Sequence, residues 1–273
     1  MLIDFHIHAF AGKIAEQTMK KLTGTLERSD MPSKKSCTDG TVPDTVRKLK
    51  EDGVGAGVVL NIATKPSQHE VVNNFAVSIS SDILYAFGSV FPLPNENNPA
   101  ENIEKELKRI KSLGFKGVKI HPDYQGYYFS DKALGPFFEL CSGMGLFVVT
   151  HAGVDALCPA DVHCSPSMIR GVLDDFPKLR LIAAHLGGHL MWDSVCELLA
   201  GRDLFLDTSY IIHSLDKPLA ERIIKRHGAE RVLFGSDCPW ASPAETFVYV
   251  DSLNLSSAEK DLIYHKNALG ILR

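Results

Sequence analysis

The feature that most constrains this fold is a regular alternation of short apolar runs with segments of helical pattern. Eight runs are predicted as strands, and a predicted helix follows each of them. Runs such as Leu146–Val149 and Leu181–Ala184 are apolar on both faces, which is typical of parallel strands covered by helices. Eight strand–helix units in 273 residues predict a (β/α)8 TIM barrel, as one domain over residues 1–273. A doubly wound open sheet is the alternative, but no glycine-rich phosphate loop follows the first strand.

The pattern also gives approximate boundaries. The predicted strands span residues 2–8, 57–62, 84–90, 117–121, 146–151, 179–185, 204–207 and 232–237. A polar stretch, residues 11–40, follows the first strand and contains glycine, proline, serine and threonine. We interpret it as a loop insertion over the first strand, with a helical pattern near residues 14–26.

The first strand carries a His-x-His motif. By alternation, His6 and His8 lie on one face of the strand with Asp4 deeper on the same face, while Ile3, Phe5 and Ile7 form the other. Two imidazoles at this spacing can share a metal ion, although such pairs alone are more often hydrogen-bonded side chains. Asp4 is expected to be a structural hydrogen-bond partner.

Other predicted strands also end in polar side chains. Five of the 11 histidines lie at strand ends, and two further strands end in aspartate; the residues are His6, His8, His121, His151, His185, Asp207 and Asp237. The carboxyl ends of barrel strands meet on the face where active sites of this fold lie. The sequence therefore predicts one metal site at that face.

Neutral imidazoles together with a carboxylate are typical zinc ligands, and manganese or iron are the alternatives. One divalent metal, zinc in the first place, is therefore the expected cofactor. Such an ion lowers the pKa of a bound water towards neutrality, and a neighbouring histidine or aspartate can take the proton.

Charge and hydropathy exclude other classes of function. The net charge of −4 implies no basic face, so neither a nucleic acid nor an anionic membrane is an expected partner. No apolar run approaches the roughly 20 residues that span a bilayer, and no signal-peptide pattern is seen. The six cysteines show no paired framework. Together these features predict a cytoplasmic protein with a small-molecule substrate.

Six motifs, in order from His6 to Pro239, resemble the amidohydrolase superfamily, and most closely its amidohydrolase-2 branch, which includes aminocarboxymuconate semialdehyde decarboxylase-like enzymes. They are DFHIH, GVKIHP, VTHAG, AAHLGGH, LDTS and LFGSDCPW. The resemblance implies a metal-dependent TIM barrel that commonly forms homodimers. It implies His6, His8, His151 and Asp237 as metal ligands, with Asp237 also assisting proton transfer. His185 would activate water or substrate, or bind a second metal.

One departure from the resemblance concerns the fourth strand. Binuclear members of the superfamily carry a carboxylated lysine or a glutamate in the middle strands, whereas this strand has Lys119 on the same face as His121. Lys119 is expected to orient a substrate carboxylate, with a carboxylated lysine and a core ion pair as alternatives. His121 and Trp240 are expected to contact the substrate, although His121 could serve only as a structural cap.

Weaker signals remain. Asp207 is expected to orient a histidine or a loop, and His189 lies either at the mouth of the site or on the surface. Arg28 and Lys34 are candidates for meeting an anionic substrate. The cluster of Cys158, His163 and Cys164 matches no common zinc spacing.

The expected reaction is hydrolysis of a carbon–nitrogen, ester or lactone bond by metal-activated water, with Asp237 or His185 moving the proton. The alternative is non-oxidative decarboxylation of a small unsaturated or aromatic acid. Hydrolysis is preferred because decarboxylases of this branch tend to be longer and to carry an arginine for the carboxylate. A non-catalytic metal-binding scaffold is less favoured because no ligand is missing. A TatD-type deoxyribonuclease is less favoured because the fourth strand has no glutamate and the pI of about 6.3 is acidic.

Overall fold

Nine short strands, all paired in parallel, form the centre of the molecule in the computed structural model, which describes residues 1–29, 35–96 and 98–273. The strands are β1 (Ile3–Ile7), β2 (Ala56–Val59), β3 (Leu84–Ala86), β4 (Gly88–Ser89), β5 (Gly117–Ile120), β6 (Phe147–Thr150), β7 (Arg180–Ala183), β8 (Phe205–Asp207) and β9 (Val232–Leu233). Since only Phe87 separates β3 from β4, the pair corresponds to the third of the eight predicted strands.

The strands follow one another in chain order around a barrel. β1, β2 and β3 are neighbours, as are β4 to β9. The first strand and the segment after β9 meet through three backbone hydrogen bonds. They run from the Phe5 N–H to the Phe234 carbonyl at 2.7 Å, from the Asp237 N–H to the His6 carbonyl at 2.8 Å and from the His8 N–H to the Cys238 carbonyl at 2.7 Å. These contacts close the ring, and the predicted TIM barrel is confirmed.

Helices follow the strands and cover the outside of the ring. They are α1 (Gly12–Arg28), α2 (Val42–Glu51), α3 (His69–Ile79), α4 (Ala100–Ser112), α5 (Pro122–Gln125), α6 (Gly135–Met144), α7 (Pro166–Asp175), α8 (Trp192–Leu198), α9 (Lys217–His227), α10 (Pro243–Asp251), α11 (Ser257–Asp261) and α12 (Asn267–Leu272). Many begin where the sequence supplies a cap: the side chains of Ser165 and Ser242 accept backbone N–H groups of α7 and α10, each with proline in the first turn. No helix in the described ranges is long and apolar enough to cross a bilayer.

The register of β1 differs from simple alternation. The pairing of β1 with β2 is irregular between Asp4 and Ile7. Ile3 and Phe5 pack with side chains from strands across the ring, such as Val149, and so face the barrel interior. Ile7 instead belongs to the apolar layer between sheet and helices. The prediction that Ile3, Phe5 and Ile7 share one face is therefore wrong, because the bulge re-aims the end of the strand.

The segment after β1 is more ordered than a loop insertion. Residues 12–28 form one 17-residue helix, α1, where the sequence analysis placed a loop with a helical pattern only at residues 14–26. Ala15 and Met19 are buried on one side of α1, and Ile14 and Leu22 line the cavity described below. The helix is thus held by packing on one side and presents its other side to the cavity.

Candidate active site

A cavity of about 460 Å³ opens at the carboxyl ends of the strands. Its wall includes the residues predicted as metal ligands, catalytic groups and substrate contacts: His6, His8, Lys119, His121, His151, His185, Asp237 and Trp240. Helix α1 closes one side through Ile14, Lys21 and Leu26. The size is within the range typical of small-molecule sites.

Three of the predicted metal ligands lie together. His8 Nε2 is 3.0 Å from Asp237 Oδ1, and His6 Nε2 is 3.5 Å from the same oxygen. These atoms form one of the groups that could hold a metal ion. Two imidazole nitrogens and a carboxylate oxygen are the donor set of many catalytic zinc sites, which leave a further position open for water or substrate.

Asp207 fixes the orientation of His6. Its Oδ2 is 2.8 Å from His6 Nδ1, so that nitrogen carries the proton and Nε2 presents a lone pair towards Asp237. The other oxygen, Oδ1, accepts the N–H groups of His185 and Ser209, both at 3.0 Å. Burial alone would raise the pKa of Asp207, but the hydrogen bonds that it accepts from His6 and Ser209 outweigh burial and hold that pKa below its usual value. Asp207 therefore orients both a histidine and a loop, as expected.

Asp4 lies outside the cavity wall and joins the two end strands of the barrel. Its Oδ1 accepts the Ser236 N–H at 2.9 Å and its Oδ2 accepts the Ser236 hydroxyl at 2.5 Å. Burial raises the pKa of Asp4 to about 7. This arrangement agrees with the structural role expected for Asp4.

The backbone at the strand ends is unusual where it presents functional side chains. His185 has φ of 57° and Asp237 has φ of 74°, a left-handed region that L residues rarely adopt. Hydrogen bonds from their N–H groups to Asp207 and to the His6 carbonyl hold both residues there. Gly153 has φ of 90°, and a Cβ on it would lie 2.1 Å from the His189 nitrogen. Only glycine allows this approach, which positions the following Val154 and Asp155.

His185 and His151 form a hydrogen-bonded pair. His185 Nδ1 is 3.0 Å from the Ser209 carbonyl, which can only accept, so this nitrogen carries the proton. His185 Nε2 then accepts from His151 Nδ1 at 3.0 Å, and His151 Nε2 is left with a lone pair. Burial lowers the pKa of His185 to about 3 and that of His151 well below its usual value. Both rings are therefore neutral, and neither nitrogen of His185 points at the His6, His8 and Asp237 group.

The structure does not bring His151 into that group. His151 Nε2 faces Asp123 and Asp155, and these three residues with His121 form a second group of potential ligands. Burial raises the pKa of Asp123, and burial together with the charge of Asp123 raises the pKa of Asp155 to about 7. His121 stacks on His151 with ring centroids 4.4 Å apart, and burial lowers the pKa of His121 well below its usual value.

Lys119 is the buried cation of the cavity. The side chain is only 1% exposed and extends inward from β5. Burial lowers the pKa of Lys119 to about 8, against the opposing charges of Asp207 and Asp237. An ammonium group in such a place is suited to meet an anionic group of a bound molecule.

Several cavity residues were not predicted from the sequence. They are Lys21, Asn61, Tyr124, Asp155 and Tyr210, together with Asp123 behind His121. Asp123 and Asp155 follow His121 and His151 by two and four residues, so extending the strand-end criterion into the following loops would have found them.

The weaker candidates have mixed outcomes. His189, expected at the mouth or on the surface, is 2% exposed and lines the cavity. Arg28 is exposed and does not line the cavity, and Lys34 lies outside the described residues. Cys164 lies apart from Cys158 and His163, which instead approach Asp123.

Comparison with solved structures supports the barrel. An uncharacterised TIM-barrel protein from Bordetella bronchiseptica has a TM-score of 0.75 at 18% identity, with 99% of this chain and 98% of that chain covered. A 5-carboxyvanillate decarboxylase from Sphingomonas paucimobilis has a TM-score of 0.69 at 15% identity, covering 100% and 98%. A dihydroxybenzoic acid decarboxylase from Polaromonas sp. JS666, with bound manganese, has a TM-score of 0.70 at 16% identity, covering 99% and 96%. At these identities the likeness concerns the fold.

The family is defined by the sequence. A comparison with curated protein sequences gives no significant match. The amidohydrolase model Amidohydro_2, however, matches residues 3–273, which is nearly the whole chain. The chain therefore belongs to the amidohydrolase-2 family, and it is an enzyme of the amidohydrolase superfamily with a divalent-metal site.

Proposed function

We propose that the chain is a metal-dependent, non-oxidative decarboxylase of a small aromatic or unsaturated carboxylic acid. The observation that carries the proposal is Lys119, a buried cation that lines the same cavity as His6, His8 and Asp237. A carboxylate of the substrate would neutralise this lysine. The aromatic and aliphatic wall, including Phe10, Ile62 and Trp240, suits the rest of such a molecule.

The solved structures that resemble the chain support this choice over hydrolysis. Several carry names of decarboxylases that act on 5-carboxyvanillate or 2,6-dihydroxybenzoate. The preference for hydrolysis relied on the shorter chain and on the lack of an arginine near the site. Lys119 and Lys21 supply positive charge in place of the arginine, so the second of these reasons no longer holds.

His6, His8 and Asp237 would hold the divalent ion, with manganese and zinc as the two candidates. The bound ion would polarise a substrate oxygen and stabilise negative charge that develops on the ring or chain. The hydrogen bond from His6 Nδ1 to Asp207 leaves Nε2 facing Asp237, where it would be available as a ligand.

When the carboxyl carbon leaves as CO2, the electron pair of the broken bond stays on the neighbouring carbon, which must take up a proton. We assign this transfer to Asp237, whose carboxylate lines the cavity beside His8 and would pass a proton from solvent. His185, also in the cavity wall, has both ring nitrogens engaged by Ser209 and His151, so it would support the reaction by orienting His151. Helix α1 covers the cavity and would limit the entry of water.

The direct test is an assay of the manganese- and zinc-loaded protein with hydroxybenzoates and unsaturated diacids, measuring CO2 release, alongside amides and lactones. We expect CO2 from at least one acid and its loss in Lys119→Met. Hydrolysis of amides or lactones without any CO2 release would contradict the proposal.

Helix α1 offers a matched pair of lysines for testing how the acid is bound. Lys21 lines the mouth of the cavity, whereas its neighbour Lys20 is exposed and does not. Lys21→Met should raise KM for the acid about tenfold, a cost of about 1.4 kcal/mol, with little change in kcat. Lys20→Met should leave both constants unchanged. Equal effects of the two substitutions would place the substrate away from α1.

Hydrolysis remains the second candidate because of one observation. His189 Nδ1 is 3.0 Å from the Val154 carbonyl and so carries the proton, which leaves Nε2 as an acceptor. That nitrogen is buried in the cavity wall without a hydrogen-bond partner. It is suited to take a proton from an attacking water. The assay with acids, amides and lactones distinguishes the two reactions. If the protein is a hydrolase, His189→Asn should abolish the hydrolysis of amides or lactones.

A further inference from the structure

Two cysteines that the proposed reaction does not use lie in contact where the segment before α2 meets the segment after β9. The Sγ atoms of Cys37 and Cys238 are 3.6 Å apart, although the two residues are 201 positions apart in the chain. All six cysteines of the chain are free thiols. Their spacing in the sequence indicates no pairing, so this contact is a product of the tertiary structure.

Cys238 is the fixed and inaccessible member of the pair. Its N–H donates to Ser236 Oγ at 3.0 Å, and its carbonyl accepts the His8 N–H at 2.7 Å. Its side chain is 0% exposed and belongs to the apolar layer between sheet and helices. A reagent dissolved in water therefore does not reach this thiol directly.

Cys37 is the accessible and movable member. It is partly exposed and lies outside any helix or strand, between α1 and α2. Its N–H donates to the Pro239 carbonyl at 2.9 Å, which keeps the segment against the loop that carries Cys238. An S–S bond is about 2.0 Å long, so the two sulfurs must approach by about 1.6 Å. A small shift of Cys37 in its irregular segment can supply this approach.

The surroundings of Cys37 also favour its reactive form. The hydrogen bond from the Cys238 thiol and the charge of Lys48 lower the pKa of Cys37, although burial opposes them. Cys158 is the other partly exposed cysteine, and there burial and the charge of Asp123 raise the pKa. A thiolate is the form that reacts with oxidants, so Cys37 is the cysteine best suited to react first.

We propose that Cys37 and Cys238 are a redox pair, which forms a reversible intramolecular disulfide when the protein meets a peroxide. Accessible Cys37 reacts with the oxidant, and buried Cys238 resolves the product. The disulfide would add a covalent link between the segment that follows the cover helix α1 and the loop that carries Asp237. The pair is separate from the proposed reaction, because neither sulfur belongs to a group of side chains that could hold the metal ion.

The oxidation proceeds in two balanced steps. The Cys37 sulfur attacks one oxygen of hydrogen peroxide, so an S–O bond forms and the O–O bond breaks, and the departing hydroxide takes the thiol proton. The Cys238 sulfur then attacks the Cys37 sulfur, and the S–O bond breaks as hydroxide leaves with the Cys238 proton. Two thiols and one peroxide give one disulfide and two waters. Exchange with a dithiol restores both cysteines and leaves the dithiol oxidised.

Limited treatment of the zinc-loaded protein with hydrogen peroxide tests the proposal, since zinc takes no part in redox chemistry. Free thiols are counted, and the digested protein is mapped by mass spectrometry without reductant. We expect two of the six thiols to disappear, a cross-linked peptide that joins Cys37 to Cys238, and recovery of both thiols with dithiothreitol. Six unreacted thiols under conditions that oxidise free cysteine, or a bond from Cys37 to a second chain, would overturn the proposal.

Three variants separate the roles of the two cysteines. Cys37→Ser should keep all its remaining thiols, because buried Cys238 is not reached. Cys238→Ser should lose the Cys37 thiol to a sulfenic acid that dimedone traps, with no intramolecular disulfide. Cys158→Ser is the matched control, because Cys158 is partly exposed but lies beside Asp123 and His163, and it should form the disulfide as the wild type does. Loss of the Cys238 thiol in Cys37→Ser would contradict the assigned order.

Discussion

At the scale of single residues, the site depends on which ring nitrogen of each histidine is already occupied. Asp207 accepts a hydrogen bond from His6 Nδ1, which leaves Nε2 available to a metal ion. His185 uses both nitrogens in hydrogen bonds, so it orients His151 and does not join either group of ligands. Histidines that are alike in the sequence, each at a strand end, thus have different roles because their hydrogen-bond partners differ.

A prediction at this scale concerns Asp207→Asn. An asparagine amide can donate to His6 Nδ1, which moves the ring proton to Nε2 and blocks the metal. We expect metal affinity to fall about 10- to 100-fold, as for other buried partners of ligating histidines. Competition with a chelator of known affinity measures the metal affinity. Asp203→Asn, at an exposed aspartate, is the control and should leave the affinity unchanged. An unchanged affinity in Asp207→Asn would show that Asp207 does not set the tautomer.

At the scale of elements, helix ends and strand ends decide where side chains point. The bulge in β1 turns Ile7 away from the interior while His6 and His8 face the cavity. Helix α1 converts the segment after β1 into a cover for the site. The first effect depends on how β1 pairs with β2, and the second on the position of α1 at the barrel mouth. Neither follows from the local alternation of apolar and polar residues.

The last residue of α9 gives a prediction about pH. His227 Nε2 donates to the Leu204 carbonyl at 3.0 Å, and Nδ1 accepts the Gly201 N–H at 3.2 Å, so the buried ring is neutral. Burial lowers its pKa to about 4, below the value of 6.5 in an unfolded chain. The unfolded state therefore binds the proton more tightly, and stability from His227 is full above pH 6.5 and declines as the pH falls towards 4.

We expect the contribution of His227 to lower the unfolding free energy by about 2 kcal/mol when the pH falls from 7 to 5. Urea unfolding of the wild type and of His227→Gln at both pH values isolates this contribution, because all other titrating groups are shared. The variant should lose less stability on acidification. Parallel pH dependences of the two proteins would rule out the assigned role.

At the scale of the whole molecule, closure of the barrel brings distant parts of the chain into one site. Asp4 and Ser236 join the first and last strands, and His8 and Asp237 meet just beyond them. A bound ion would therefore tie the two ends of the barrel together. The homodimer stays a prediction, which sedimentation of the metal-loaded protein would measure.

This linkage predicts that metal stabilises the fold. Free manganese or zinc at 100 times its dissociation constant adds about 2.7 kcal/mol through mass action. For a chain of this size that is a rise in Tm of about 5 °C or more. Scanning calorimetry with metal and with a chelator measures the rise, which should shrink in His8→Ala. A Tm that does not respond to either metal would contradict a metal site between the first and last strands of the barrel.

The sequence by itself determined the barrel, its strand order and the residues at the strand ends, because the apolar periodicity of each strand is a local property. It also predicted His6, His8 and Asp237 as metal ligands through motifs shared across a family, and the structure places these three side chains together. It did not determine the face of Ile7, the cover formed by α1, or the partner of His151. Those features depend on contacts between segments far apart in the chain, such as Asp123 and Asp155 facing His151, and only the tertiary structure decides them.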